Sequence, residues 1–400
     1  MKTSVIFSLI SLLSFHLNAQ IAAGKCKFLG NIIASSIPSN FNNYWNQVTP
    51  ENAGKWGSAE SSRDVMKWTN LDLAYNHAKN SGFLFKWHTF IWGQQQPFWI
   101  ASLSQADQKA EVEEWIQLFA DRYPNTDLID VVNEPLHAVP SYSEALGGAG
   151  ETGWDWVVWS FEKARELFPN SKLILNDYAI LGSNSNTDEY LIIINILKEK
   201  GLIDGIGVQG HGLETADTAT LRANLDKLAA TGIPIYVSEY DVNIANDAQQ
   251  YQIYFQQFPL LWTHPGVAGI TLWGYIQGQI WKTDAYLIKS NGTERTALVW
   301  LKNYVMTTNI ECDATDIRTY GLNDNPGVRV YPNPATDGKI TLEIKSGISE
   351  LRILDINGRM VKNIPVHEQT LNLDLCASPG LYFLHFIGDQ DSIIEKLYIE

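Results

Sequence analysis

Short apolar runs alternate with amphipathic stretches over most of this chain, from residue 28 to about residue 306. The runs are rich in Val, Ile and Leu, which predicts strands that are buried on both faces. The stretches between them place apolar residues at helical spacing. The predicted strands are the segments near Leu29 and Gln47–Thr49, then Phe83–His88, Leu128–Glu134, Leu173–Asp177, Ile206–His211, Ile235–Asp241 and Gly269–Trp273. The predicted helices are Gln108–Ala120, Trp154–Leu167, Asp188–Lys200, Leu221–Ala230 and Ala248–Leu261.

This repeated strand and helix unit predicts the fold class. Units of this size place consecutive strands parallel in one sheet. The strand count reaches eight, and no Gly-rich phosphate loop follows the first strand. Both observations favour a (β/α)8 TIM barrel, an α/β fold, over an open doubly wound sheet. In such a barrel, side chains at the C-terminal ends of the strands line the functional site.

The composition changes near residue 309, and a segment rich in Gly, Asn, Asp and Pro at 321–327 predicts a linker. Short alternating runs follow, which predict a small C-terminal β-sandwich domain. These runs are Val328–Tyr331, Lys339–Ile344, Glu350–Leu354, Met360–Ile364, Thr370–Leu375, Leu381–Phe386 and Ile393–Ile399. We therefore divide the chain into a signal peptide at 1–19, the barrel at 20–308, the linker at 309–326 and the sandwich at 327–400.

The first 19 residues have the features of a secretory signal peptide. They combine a basic start at Lys2, an apolar stretch over residues 5–17 and a small-residue exit before Gln20. The apolar stretch is too short to span a membrane. We therefore expect the mature protein to be exported.

Three cysteines, Cys26, Cys312 and Cys376, enter a compartment where disulfides persist. Cys26 precedes the first barrel element and Cys312 follows the last. Because a closed barrel brings its two ends together, a Cys26–Cys312 bridge is our hypothesis. The alternative, three free buried thiols, stays open because spacing does not determine connectivity.

Acidic residues outnumber basic ones by 44 to 29, and no Lys/Arg-rich run occurs. This balance argues against a nucleic-acid or anionic-membrane surface. The sequence has no His-x-x-x-His pair, no Cys-x-x-Cys pair and no Ca²⁺ loop, so we expect no metal or other cofactor. The 14 Trp and 17 Tyr residues suit both a core and the apolar faces of sugars. We expect a monomer that binds a neutral ligand.

Two of the apolar runs end in glutamate, at Glu134 and at Glu239. A charge at the end of a buried strand is costly and needs a reason. Two glutamates that face one cleft can divide general-acid and nucleophile work on a glycosidic bond. The alternative is that each glutamate caps the next helix or pairs with a lysine.

Motifs at the strand ends resemble those of glycoside hydrolase family 10 endo-β-1,4-xylanases, over roughly residues 28 to 306. The motifs are Val48-Thr-Pro-Glu-Asn-Ala-Gly-Lys-Trp56, His88-Thr-Phe-Ile-Trp92, Asn133-Glu134-Pro135, Asn176-Asp-Tyr178, Gln209-Gly-His211, Ser238-Glu-Tyr-Asp241 and Trp273-Gly274 with Trp281. The resemblance implies a secreted, retaining enzyme that hydrolyses internal β-1,4 bonds of xylan or xylo-oligosaccharides by double displacement.

The resemblance also implies the catalytic roles. Glu134 is the acid/base, and Asn133 is the amide that binds the sugar 2-hydroxyl. Glu239 is the nucleophile. His211 holds it, and Asp241 orients the histidine in turn.

For substrate binding, the resemblance implies that Glu51, Asn52 and Lys55 bind a sugar on the non-reducing side of the cut. It places His88, Trp92 and Gln95 beside the bond that is cleaved. The other implied binding residues are Asn176, Tyr178, Gln209, Trp273 and Trp281.

Three positions depart from the family pattern. Gly93 stands where a second histidine is common, and Gln277 and Ile280 stand where Asp and Ser are common. These departures keep open a glycosidase of the same plan that acts on another β-glycan or on decorated xylan. A noncatalytic glycan-binding surface protein is the alternative of a different class.

The C-terminal segment resembles the sorting domain of the type IX secretion system. The resembling motifs are Val330-Tyr-Pro-Asn-Pro-Ala335, Asp355-Ile-Asn-Gly-Arg359, Pro379-Gly-Leu-Tyr382 and Lys396-Leu-Tyr-Ile-Glu400. The resemblance implies passage through the periplasm, recognition by outer-membrane secretion machinery and a secreted or cell-surface location. A carbohydrate-binding sandwich is the alternative for this domain.

Overall fold

The computed structural model describes residues 20–310, 328–335, 338–344, 347–355, 359–375, 378–388 and 392–399. The chain forms two compact units, Met1–Tyr320 and Gly321–Glu400. The predicted signal peptide and most of the predicted linker lie outside the described residues. The domain boundaries that the sequence suggested stay predictions.

Eight parallel strands of the first unit close into a barrel in sequence order, and β8 pairs with β1. The strands are β1 (Phe28–Ile33), β2 (Gln47–Pro50), β3 (Leu84–Ile91), β4 (Leu128–Asn133), β5 (Lys172–Asp177), β6 (Gly205–Val208), β7 (Ile235–Tyr240) and β8 (Val267–Leu272). The predicted (β/α)8 barrel is confirmed.

Helices follow the strands from β2 onward, as crossover connections between parallel strands usually do, and β1 and β2 are joined through a 3-10 turn. They are α1 (Trp56–Ala59), α2 (Thr69–Asn80), α3 (Gln105–Arg122), α4 (Asp155–Leu167), α5 (Asn184–Glu199), α6 (Thr218–Ala229), α7 (Asp247–Thr263) and α8 (Thr296–Thr307). Short 3-10 turns lie at Phe41–Asn43, Ile100–Ser102 and Ser143–Leu146. None of the helices in the described ranges is both long and apolar enough to cross a membrane.

The structure differs from the sequence expectations in several elements. Helices α1, α2 and α8 were not predicted. The buried face of α2 consists of Leu71, Ala74 and Ala78, so its apolar periodicity is weak. The predicted strand Ile206–His211 ends at Val208, because the chain turns away from the sheet at Gly210, where φ is +85°.

Most of the aromatic side chains serve the core. Trp45, Trp87, Trp115 and Trp262 are among the largest fully buried side chains. Trp56, from the second-strand motif, is also buried and stacks on Trp115 with ring centroids 6.0 Å apart. The abundance of Trp therefore reflects packing at these positions.

Cys26 is disulfide-bonded, so the alternative of three free thiols is wrong. Cys312 and Cys376 lie outside the described residues. The Cys26–Cys312 pairing stays a prediction.

The second unit contains two antiparallel sheets, with strand orders β13-β10-β9 and β12-β11-β14-β15. Their strands are β9 (Val328–Tyr331), β10 (Lys339–Ile344), β11 (Ile348–Asp355), β12 (Met360–Pro365), β13 (Thr370–Asp374), β14 (Gly380–Gly388) and β15 (Ser392–Ile399). Both sheets contribute to one apolar cluster, for example through Leu342 and Leu384. The prediction of a small β domain is confirmed.

Candidate active site

The two glutamates that the sequence analysis singled out lie at the C-terminal ends of β4 and β7. Glu134 directly follows β4, and Glu239 is the second-last residue of β7. Their exposed fractions are 7% and 4%. Two carboxylates buried at this end of a barrel need polar partners, because an unpaired buried charge is costly.

The Glu134 carboxyl group accepts hydrogen bonds from uncharged side chains. Oε2 accepts from Trp92 Nε1 at 2.9 Å and from Gln94 Nε2 at 3.4 Å. Oε1 accepts from Gln209 Nε2 at 3.0 Å. A donor set of this kind lets the carboxyl group change its protonation state without breaking an ion pair, as an acid/base must.

The backbone of Glu134 has a φ of +56°, in the left-handed region that favours glycine. Its N–H donates to Asn176 O at 2.7 Å, and its carbonyl accepts from Ala138 N at 2.8 Å. Such a conformation costs on the order of 1–3 kcal/mol and persists only where its surroundings determine it. The fold therefore holds Glu134 in place at a cost in stability.

Glu239 has a different environment from Glu134. Its Oε1 accepts from Asn176 Nδ2 at 2.8 Å and lies 3.8 Å from His88 Nδ1, and its Oε2 lies 3.2 Å from His211 Nε2. Burial by itself raises the pKa of Glu239. The charge of His88, the hydrogen bond and charge of His211, and the charge of Lys86 outweigh burial and hold that pKa well below its usual range. Glu239 is therefore ionised at neutral pH.

His211 lies between two carboxylates. Its Nδ1 is 2.9 Å from Asp241 Oδ2, and its Nε2 faces Glu239. Burial lowers the pKa of His211, but the hydrogen bonds and charges of Asp241 and Glu239 raise it overall to about 9. The same Oδ2 of Asp241 also accepts from Trp281 Nε1 at 3.0 Å, and Lys282 Nζ lies 3.4 Å from Oδ1. The structure thus brings together the predicted Glu–His–Asp chain.

Replacing Asp241 with asparagine should make His211 lose its proton at lower pH. The variant removes the anion whose hydrogen bond contributes most to the raised pKa, so the ring titration should move from about 9 toward neutral pH by about 1–3 units. A raised pKa stabilises the fold below the unfolded-state value near 6.5. In the parent protein that stability is lost as the pH rises through about 9. NMR titration of the ring measures the shift of the coupled Glu239–His211–Asp241 group.

Asp226→Asn is the matched control for this titration. Asp226 pairs with His264 Nε2 at 3.0 Å, and its side chain is 58% exposed. This variant should leave the His211 titration unchanged. A His211 titration that stays in place in Asp241→Asn would show that Asp241 does not hold the charge.

Amide side chains join the two glutamates. Asn176 Nδ2 donates both to Glu239 and to Asn133 Oδ1, the latter at 2.9 Å. Gln209 Nε2 donates both to Glu134 and to Asn133 Oδ1, the latter at 3.2 Å. Ser238 Oγ in turn donates to Asn176 Oδ1 at 2.6 Å. The oxygen of Asn133 accepts both bonds, which orients the side chain. Its NH2 group makes no hydrogen bond within the described residues and is available to a ligand hydroxyl.

A buried charged group that the sequence analysis did not assign lies next to Glu239. Lys86 Nζ donates to Asp130 Oδ2 at 2.6 Å, and His88 Nδ1 lies 2.9 Å from the same oxygen. All of these side chains are fully or almost fully buried. The carboxylate of Asp130 inside an apolar strand was the signal that could have revealed this group.

Lys55 connects the second-strand motif with the two glutamates. Its Nζ donates to Asn52 Oδ1 at 3.0 Å and lies 5.1 Å from the centroid of the Trp92 ring. Burial lowers the pKa of Lys55, while the charges of Glu239, Glu51 and Glu134 act in the opposite direction. Burial likewise raises the pKa of Glu51, and Lys55 opposes that shift. Lys55 is therefore close enough for its charge to interact with those of Glu134 and Glu239.

Two tryptophans border the site where β8 ends. Trp273 is buried, with its ring centroid 5.2 Å from that of His88 and 6.3 Å from that of His211. Trp281 is 53% exposed and lies 4.7 Å from the His211 ring. An exposed aromatic face beside a buried charge is suited to the apolar face of a sugar.

Tyr178, after β5, stacks on His137 with ring centroids 4.0 Å apart. His137 Nδ1 lies 2.7 Å from Asp177 Oδ1, and Leu136 N donates to Asp177 Oδ2. Burial raises the pKa of Asp177 to about 6, against those hydrogen bonds. His137 and Asp177 were not assigned from the sequence, although Asp177 stands inside the quoted Asn176-Asp-Tyr178 motif.

The departures from the family pattern have local structural reasons. A Cβ atom at Gly93 would lie 2.4 Å from Ala138 O, so the backbone there leaves no room for a side chain. Gln94 contacts Glu134, whereas Gln95 is exposed and its side chain makes no hydrogen bond with another described residue. Gln277 Oε1 accepts from Ser290 N at 3.0 Å and so fixes the eighth loop. The role predicted for Gln95 stays a prediction.

One cluster of acidic side chains among the described residues has ligand atoms within 4.8 Å of one another: Glu60, Asp64 and Glu111. Three of its six carboxylate oxygens accept hydrogen bonds. Glu60 Oε2 accepts from Trp56 Nε1, Glu60 Oε1 accepts from Asp64 N, and Glu111 Oε1 accepts from Arg63.

Comparisons with known proteins agree with this geometry. Residues 14–306 match the profile of Glycosyl hydrolase family 10, and residues 329–400 match that of the Secretion system C-terminal sorting domain. The sorting-domain match indicates export to the cell surface or outside the cell.

Endo-1,4-beta-xylanase B of Cellvibrio japonicus is 42% identical over 280 residues, which cover 69% of this chain and 45% of that protein. Anti-sigma-I factor RsgI6 of Acetivibrio thermocellus is 27% identical over 62% of this chain and 32% of that protein. The chain thus spans less than half the length of these relatives. Among solved structures, xylanase 10B of Thermotoga maritima superposes with a TM-score of 0.64 at 24% identity, over 72% of this chain and 96% of that one.

Proposed function

Because this chain belongs to glycosyl hydrolase family 10, we propose that it is a secreted endo-1,4-β-xylanase that cleaves internal bonds of xylan with retention of configuration. The observation that carries the proposal is the pairing of two buried glutamates with different environments. Glu134 has neutral donors, whereas Glu239 is held ionised by His211 and Asp241.

In the first step, a Glu239 oxygen attacks the anomeric carbon while the bond from that carbon to the leaving oxygen breaks. Glu134 gives its proton to the leaving oxygen, and a covalent glycosyl ester of Glu239 remains. In the second step, Glu134 takes a proton from water, the water oxygen bonds to the anomeric carbon, and Glu239 leaves as a carboxylate. Each residue thus returns to its starting protonation state.

The remaining contacts suit an oxocarbenium-like transition state. The free NH2 group of Asn133 is placed to donate to the sugar 2-hydroxyl, an interaction that strengthens as the bond breaks. Lys55, Asn52 and Glu51 offer an ammonium, an amide and a carboxylate to the hydroxyls of the next sugar on the non-reducing side. Trp273 and Trp281 supply apolar surface for the ring faces.

The export of the enzyme follows from its second unit. We propose that the chain passes through the periplasm and that outer-membrane secretion machinery recognises residues 327–400. The acidic net charge of -15 and the lack of a basic run fit an enzyme that acts on a neutral polysaccharide, as a monomer and without nucleic acid.

A noncatalytic glycan-binding role is the second candidate, because one relative bears the name of an anti-sigma factor. The histidine and aspartate that keep Glu239 ionised count against it, since binding alone does not need an activated nucleophile.

Product analysis on xylan, β-glucan and mannan tests the proposed function. We expect release of reducing ends from xylan, with the β-anomer of the product appearing first by NMR. An α-anomer formed first would contradict the assignment of Glu239 as nucleophile. Binding to xylan without any release of reducing ends would favour the noncatalytic role.

A further inference from the structure

A surface depression of about 560 Å³ lies beside the second-strand motif. This volume falls within the range of about 300–1,000 Å³ that small-molecule sites occupy. The depression is therefore large enough to receive a sugar unit. Its polar lining consists of Ser35, Asn52, Ser58, Lys67, Thr69 and Asn70.

A series of side-chain contacts links the depression to Glu134. Asn52 lines it and accepts a hydrogen bond from Lys55. Lys55 lies over the Trp92 ring, and Trp92 donates to Glu134. The proposed function places Asn52 against a sugar on the non-reducing side of the cut. An occupant of the depression is then a substituent of that sugar or of its neighbour.

The charge of the lining points to one class of occupant. Among the described residues that line the depression, Lys67 is the only charged one, and none carries a carboxylate. Its Nζ donates to Ser61 Oγ at 2.6 Å, and in the described part of the chain it has no acidic partner. A neutral sugar does not need this ammonium, whereas a carboxylate gains a charge-assisted hydrogen bond from it.

We propose that this depression is a subsite for a uronic acid substituent of the xylan main chain, with the carboxylate paired to Lys67. Thr69 and Asn70, the first residues of helix α2, and Ser58 offer hydrogen-bonding groups to the hydroxyls of the same substituent. The inference rests on the proposed function and narrows its substrate to acidic xylans.

The test compares kcat/KM on glucuronoxylan with kcat/KM on the same polymer after reduction of its carboxyl groups. For the parent enzyme, kcat/KM on glucuronoxylan divided by kcat/KM on the reduced polymer should be greater than one. Lys67→Met should lower this ratio by about fivefold, the range of a solvent-exposed ion pair. Lys67→Arg keeps the positive charge, so this variant should retain most of the preference for the acidic polymer. Lys163→Met is the matched control, since Lys163 pairs with Glu166 on α4 and does not line the depression.

The outcomes separate the subsite from the proposed function. An unchanged ratio in Lys67→Met, or an equal loss on both polymers, would overturn the acidic subsite. A loss seen on arabinoxylan instead would assign the depression to a neutral substituent and would also overturn it. Binding of a glucuronyl-substituted xylo-oligosaccharide is measured in parallel by calorimetry. If that binding depends on Lys67 but no xylan is hydrolysed, the subsite stands and the proposed function fails.

Discussion

Replacing Glu239 with alanine is expected to lower kcat on xylan by about 10⁴- to 10⁶-fold, because the variant removes the atom that bonds to the anomeric carbon. The parent site keeps this carboxylate ionised through His211, His88 and Lys86. Asp130 also contacts Lys86 and His88, and Asp241 also contacts His211, but Glu239 is the carboxylate of the described site that interacts with all three. The measurement is the initial rate of reducing-end release, with circular dichroism to show that the variant folds.

Azide provides the sharper readout for this variant. The space left by the carboxylate is open to a small anion, which can attack the anomeric carbon from the same side. We expect added azide to restore turnover on an activated aryl xylobioside and to yield the α-glycosyl azide, a product of inverted configuration. Glu166→Ala, at an exposed position on α4, is the control and should match the parent. A Glu239→Ala rate within about tenfold of the parent would exclude Glu239 as nucleophile.

Replacing Glu134 with alanine is expected to separate two kinds of substrate. On xylan, whose leaving group needs a proton, kcat should fall by about 10²- to 10⁴-fold, the usual contribution of a positioned general acid. An aryl xylobioside with a good leaving group needs no proton, so its glycosyl-enzyme should still form. Because the base for the second step is also missing, this intermediate should accumulate and give a burst of released phenol.

Glu134→Gln and added azide control this experiment. The glutamine keeps the shape of the side chain and one acceptor oxygen, for either Trp92 Nε1 or Gln209 Nε2. It cannot transfer a proton, so it should behave like the alanine variant. Azide should accelerate the second step and give the β-glycosyl azide, the opposite anomer to that from Glu239→Ala. Equal losses on xylan and on the aryl substrate would contradict the acid/base role.

Much of the site could be predicted because it depends on strands. Glu134 and Glu239 stand where apolar runs stop, and parallel strands of a barrel present those ends on one side. Trp273, which directly follows β8, is positioned by the same rule. Their arrangement therefore follows from the periodicity of the strands, without knowledge of the loops.

The residues that sequence reasoning did not find depend on loop conformation or on pairing between strands. Gln94 and Gln95 are chemically identical, and only the path of the loop after β3 brings Gln94 to Glu134. The stack of His137 on Tyr178 joins two loops. Lys86 and Asp130 pair across β3 and β4, and the register between these strands shifts after His88. Local sequence does not determine such contacts.

The left-handed backbone of Glu134 has a consequence for the engineering of this enzyme. At that φ, glycine removes the steric cost that every L side chain incurs. A directed-evolution screen that rewards thermal tolerance alone is therefore expected to favour glycine at position 134 and to lose the carboxyl group that we propose as the proton donor. Libraries for a heat-resistant biocatalyst should hold codon 134 fixed and seek their gains elsewhere in the barrel.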